Sequence, residues 1–281
     1  MRPEINRTVS YCAESRLTIH SSRTRFAARL NSGVSRLSIS QHDIRDRSFM
    51  TSPIKVTSRH PFFVAFASVT ALLVLTGFTR TFFLPLAHGT FSRPWFVYVH
   101  GLLFFSWISL LVIQALLAVR RQFKWHRRFG WIGASLIPLM TTSGVIVAYW
   151  ATRRDVAAGQ GADALPFFFG TLMDMFLFAS LATTAVLARS SSPVHKRLIL
   201  IATLAVLGAA VGRIPVVGAV ANYITVFMLL CIATFDALTI KQIHRATVLG
   251  GAWLLVGIFT EDAIGNTTAW ISVAQRIFGH A

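Results

Sequence analysis

VHGLLFFSWISLLVIQALLAVRRQFKWHRRFGWIG, residues 99–133, decides how the whole chain is read. An apolar run long enough to cross a bilayer opens on a histidine. It ends in a basic loop with a second histidine, and then another apolar run begins. On a helix, His100, Phe104, Trp107, Leu111, Gln114 and Ala118 fall on one narrow stripe at 3.6-residue spacing. A polar stripe on a helix of that length should face protein, because a polar atom in hydrocarbon needs a partner.

The rest of the chain agrees. Of its 281 residues 54% are hydrophobic and 13% charged, about half the charge density of a soluble domain. Mean hydropathy is +0.60. Seven apolar segments follow residue 60, at about 61–79, 95–119, 130–150, 166–188, 197–215, 218–240 and 247–270. The expected fold is therefore an all-α integral membrane protein, a bundle of seven transmembrane helices. In the last segment Glu261, Asp262 and Asn266 interrupt the apolar run, so six spans plus a surface helix is the alternative. Short connections predict one bundle, Pro138 predicts a kink in span three, and Gly144 and the Gly208–Gly212 pattern predict close helix packing.

Basic residues set the orientation. Arg120, Arg121, Lys124, Arg127 and Arg128 follow span two; Arg189, Lys196 and Arg197 follow span four; Lys241 and Arg245 follow span six. The positive-inside rule puts these loops and the N-terminus in the cytoplasm. Trp95, Phe96 and Tyr98 then mark the outer interface. The formal charge of +17 is assigned to anionic lipid headgroups rather than nucleic acid, since it gathers at span ends and in the N-terminal tail. Residues 1–58 form that tail, and residues 59–281 the membrane domain. The tail carries nine Arg and Lys55 against four acids and reads as disordered. A transit peptide is one reading of it. Translation starting at Met50 is the simpler one, since the tail lacks a signal peptide's apolar region. Cys12 and Cys231 give no disulfide framework and no C-x-x-C motif.

Two polar groupings carry the candidate chemistry. The outer one holds His100, Asp174 and Arg213, each roughly 7–12 Å below the interface. Trp107 and Gln114 share the His100 stripe, and Asn222 starts span six at a comparable depth. An aspartate and an arginine at one depth are expected to pair, since either alone would cost several kcal/mol. This grouping reads either as an outward-facing pocket for a small ligand or as a structural latch. The inner grouping holds His126, His195, His244 and Asp236. A cation beside each of these imidazoles disfavours a dication, so no metal site is assigned and interfacial anchoring is expected. Asp236 is expected to draw a counter-ion from the basic loops.

No cofactor is assigned. Haem b would need paired intramembrane histidines, and only His100 lies well inside a span, with His88 as its nearest recruit. No G-x-S-x-G, H-E-x-x-H, P-loop or dinucleotide fingerprint occurs, so no enzymatic reaction is assigned. Three functions stay open: a small-ligand binding or transport-related protein, a haem- or quinone-linked redox protein using His100, and a structural partner without a ligand. The absence of an inverted repeat lowers the transport reading.

Residues 100–133 and the stretch HKRLILIATLAVLGAAVGRIP (195–215) resemble a group of uncharacterised bacterial multipass membrane proteins. In that group a histidine opens span two, Trp and Gln follow at seven-residue steps, and H-R-x-x-G opens span three. A weaker likeness exists to a second membrane family of unknown function sharing a Q…HRxLG element. The matching positions are His100, Trp107, Gln114, His126, Arg127, Gly130, His195, Lys196, Arg197, Arg213 and Pro215. The resemblance implies a protein of the bacterial inner membrane and implies no activity.

Overall fold

The architecture comes from a computed structural model, which describes residues 61–279 apart from Val216. The expectations for residues 1–58 lie outside the described residues. Seven helices are long and apolar enough to cross a membrane: α1 Phe62–Ala87, α2 Trp95–Val119, α3 Phe123–Ala157, α4 Gly161–Leu187, α5 Ser192–Val211, α6 Gly218–Ile240 and α7 Arg245–Gly265. A short helix, α8 Thr268–Phe278, follows. No strand occurs among the described residues. Seven apolar helices fit a multi-pass membrane protein, and their outward residues are apolar too: Leu102 is 67% exposed, Phe167 73% and Leu249 71%.

The connections are short, so consecutive helices pack as neighbours. Helix α4 is the central element, packed against α3, α5 and α7, while α2 lies between α1 and α3. The core between them is built from Met140, Phe178, Leu181, Ile201 and Leu254. Gly144 lets α3 approach α4, because a Cβ there would overlap the Met175 sulfur.

Several boundaries differ from expectation for local reasons. The first span is longer because α1 continues through a π-helical segment, Thr79–Phe83, before Pro85. Pro85 has no N–H to offer the preceding turn, which suits a widened backbone there. Span three extends to 35 residues, since Phe123 to Phe129 already form its first turns, and the helix continues through Pro138. Span five is not one rod. Its first part ends at Ala205, and Gly208–Val211 forms a separate turn after Val206–Leu207. The expected packing role of Gly208 is corrected: nothing lies near a Cβ placed on it, and the close approach is made by Gly77 of α1 against the Ala210 carbonyl. The last apolar segment stops at Gly265, and Thr267 accepts from the Trp270 N–H as N-cap of α8.

Candidate functional site: two cavities that meet at Trp107

The stripe on α2 lines two separate cavities. The first, about 730 Å3, takes in His100, Phe104 and Trp107 from α2, Trp150 from α3, Thr203 from α5, and Arg213. The second, about 590 Å3, takes in Trp107 and Gln114 from α2, His126, Arg127 and Gly130 from α3, Arg189, and His195 from α5. His100 and Gln114 are 14 residues apart on one helix, a rise of roughly 21 Å, so the cavities open toward opposite ends of the bundle.

Trp107 belongs to both. It is 5% exposed, and its indole N–H donates to the Thr203 hydroxyl at 3.1 Å. That hydroxyl in turn donates to the Ile199 carbonyl at 2.9 Å. The ring also meets Phe178 edge-on at 5.0 Å. Held by Thr203 and Phe178, the indole is a partition between the cavities.

In the first cavity, His100 Nδ1 lies 3.3 Å from the Ser143 hydroxyl, which spends its own proton on the Met140 carbonyl at 3.1 Å. The Ser143 oxygen is therefore the acceptor, and the His100 proton sits on Nδ1. Arg213 bonds the Ala209 carbonyl and lays its guanidinium over Phe78 at 4.8 Å. Arg93 and Arg154 also line this cavity, and no acidic residue does. Arg154 is committed to Asp155 at 2.6 Å, whereas Arg93 and Arg213 form no ion pair among the described residues. His88, the recruit a bis-histidine site with His100 would need, is not among the lining residues.

The expected pairing of Asp174 with Arg213 is not formed. Asp174 lies half-buried in α4 and lines neither cavity; the acid that acts on it electrostatically is Glu261 of α7. Glu261 packs over Gly170, one turn from Asp174, where the missing side chain leaves room, and its Oε2 is buried without a hydrogen bond. Asn222 is half-buried near the start of α6 and lines neither cavity.

The inner residues separate into two clusters. His126 and His195 share the second cavity, their ring centroids 6.4 Å apart. Gln114 supports this wall: its amide donates to the His126 carbonyl at 3.1 Å, and its Oε1 is buried with no donor. Asp236 and His244 belong elsewhere. Asp236 is fully buried and takes Arg197 Nε at 2.9 and 3.0 Å, the Thr247 hydroxyl at 2.6 Å and the His244 N–H at 3.2 Å. Arg197 also bonds the Pro193 carbonyl at 2.8 Å. This network ties α5, α6 and α7 together. His244 then caps α7, accepting from the Ala246 N–H at 3.1 Å. Among the described residues no three His, Cys, Asp or Glu side chains converge on one point.

Ser143, Thr203 and Thr247 were not singled out from sequence. Each is an ordinary hydroxyl in an apolar helix, and only its neighbour on another helix gives it a role. No protein-family model matches the chain, and neither a curated protein nor a solved structure is similar to it.

Proposed function

We propose that the chain is a protein of the bacterial cytoplasmic membrane, N-terminus inside, that binds a small anion with an aromatic or apolar body in the outward-facing His100 cavity. The observation that carries this reading is the lining of that cavity. Arg93 and Arg213 stand free of acidic partners beside a wall rich in aromatic rings, and no carboxylate competes with a ligand for them. Guanidinium groups recognise carboxylate and related oxyanions with two parallel hydrogen bonds. The phenyl rings supply an apolar surface for the remainder of the ligand. His100, its Nδ1 facing Ser143, leaves Nε2 as a further hydrogen-bonding atom at the wall.

The Trp107–Thr203 contact closes this cavity against the second one, so the reading is of binding and not of passage.

The test uses matched ligands on the detergent-purified full chain. Benzoate and 1-naphthoate are compared with benzamide and 1-naphthamide for their effect on the thermal unfolding midpoint. Binding to the folded state raises that midpoint in proportion to ligand saturation. The carboxylates should protect, naphthoate more than benzoate, and the amides should not. Arg213→Gln should abolish the difference while leaving the ligand-free midpoint close to wild type. Equal protection by acids and amides, or protection unchanged in the variant, rejects the reading.

A further inference from the structure

The second cavity carries a site of a different kind, which does not depend on the ligand proposed for the first. His126 stands at the start of α3 and His195 at the start of α5, and both face this cavity. Each ring is pinned through the same atom. His126 Nδ1 lies 3.3 Å from the Gln114 carbonyl, and His195 Nδ1 lies 2.7 Å from the Ala185 carbonyl. A carbonyl can only accept, so both rings carry a proton on Nδ1, and Nε2 is the nitrogen each leaves for a ligand. That is the arrangement of a metal-ligating imidazole, oriented by a backbone acceptor behind it.

The separation of the rings is equally specific. Their centroids are 6.4 Å apart and their planes cross at 85°. A metal bound to both nitrogens at about 2.0–2.1 Å has its centre about 3.2 Å from each centroid, so a linear pair of ligands spans about 6.4 Å. Two crossed planes share a common axis without clashing. A tetrahedral ion would draw the centroids closer than this. Linear ligation by two imidazoles is what the axial positions of a haem require.

The surroundings choose between a bare ion and a porphyrin. Arg127 and Arg189 are exposed residues lining the same cavity, and two cations there oppose a naked dication. They suit a group that brings its own carboxylates. The lining is otherwise apolar, with Trp131, Leu187 and Ile199, and the volume of about 590 Å3 is far more than an ion needs. Gly130 and Gly133 line the cavity from α3, their missing side chains facing Gln114 and Leu110 of α2.

We infer that His126 and His195 are the two axial ligands of a b-type haem, its propionates directed to Arg127 and Arg189. The full chain, expressed with a haem precursor and purified in detergent, should carry about one haem per chain with a six-coordinate, low-spin spectrum. Paramagnetic resonance of the oxidised protein should show the strongly anisotropic low-spin signal of crossed imidazole planes. His126→Ala and His195→Ala should each turn the spectrum high-spin or lower haem occupancy about tenfold or more. His100→Ala should keep the wild-type spectrum. Added imidazole should restore the low-spin spectrum to His195→Gly, which separates lost ligation from lost folding. The inference is overturned if the purified chain neither carries haem nor binds added haemin stoichiometrically. It is also overturned if a divalent ion is bound instead, if both alanine variants keep the wild-type spectrum, or if His100→Ala abolishes it. Should the histidine variants fail to fold, the resonance spectrum of the wild type decides alone, a high-spin signal being the contrary result.

Discussion

Arg197 and Asp236 form a buried ion pair that joins α5 to α6, with Arg197 Nε within 3.0 Å of both carboxylate oxygens. The two side chains are 3% and 0% exposed. Thr247 and the His244 N–H complete the carboxylate's hydrogen bonds from the α7 side. Removing one partner strands a charge, so Arg197→Met or Asp236→Leu alone should cost about 3–5 kcal/mol. The double replacement should cost clearly less than the sum. Unfolding of the three variants in one detergent measures this, and additive losses would show that the pair contributes no coupling.

Two glycines separate a rigid obstacle from a yielding one. A Cβ on Gly77 would overlap the Ala210 backbone carbonyl, whereas on Gly144 it would overlap the end of the flexible Met175 side chain. Gly77→Ala should therefore cost about 1–3 kcal/mol, at the upper end of that range. Gly144→Ala should lie at or below its lower end, because Met175 can change rotamer. The order of the two unfolding midpoints checks the packing of α1 on α5 against that of α3 on α4.

His244 makes the end of α7 sensitive to acid. Burial, helped by the Arg197 and Lys196 charges, holds this imidazole below its ordinary value of 6.5, with Asp236 opposing. The cap also needs Nδ1 unprotonated to accept from the Ala246 N–H. A depressed histidine contributes stability above the unfolded value and loses it as pH falls from there through the folded one. The unfolding midpoint should thus drop as pH falls from 7 through 6.5 and below. His244→Asn keeps a capping oxygen without that titration and should flatten this part of the profile. An unchanged slope would remove His244 as its source.

Thr203→Val tests the partition. It keeps the shape of the side chain and leaves the buried Trp107 indole N–H without its acceptor, a loss of about 1–3 kcal/mol. Trp107→Phe removes the donor instead, so the double variant should be no worse than Trp107→Phe alone. A double variant with fully additive losses would show that the bond is not the link.

Much of this was legible in the chain, and what was not has a common cause. Hydropathy gave every span, and the α2 bounds, Trp95–Val119, match the expected 95–119. Depth along a helix can be counted, which sets His100 and His126 a span apart, and the two line different cavities. The side-by-side arrangement of helices could not be counted. Asp174 and Arg213 are expected at similar depth from their positions in the spans, yet Asp174 faces Glu261 of α7 and Arg213 lies over Phe78. Arg197 looked like a loop cation because it adjoins Lys196. It occupies the first turns of α5, where it meets Asp236. The approach of His126 to His195 depends on Gln114 and Ala185 holding two rings from different helices, and no spacing within one helix encodes it.

The most direct test of the two-cavity account is the accessibility of single cysteines in sealed membrane vesicles of known orientation. Cys12 and Cys231 are first replaced by serine and alanine, and one cysteine is placed at Ala151 in the His100 cavity or at Ala134 in the His126 cavity. A membrane-impermeant thiol reagent should label Ala151→Cys only from the outer face and Ala134→Cys only from the cytoplasmic face. 1-Naphthoate should protect Ala151→Cys and leave Ala134→Cys unchanged. Labelling of both from the same face, or no protection of Ala151→Cys by naphthoate, would contradict the account.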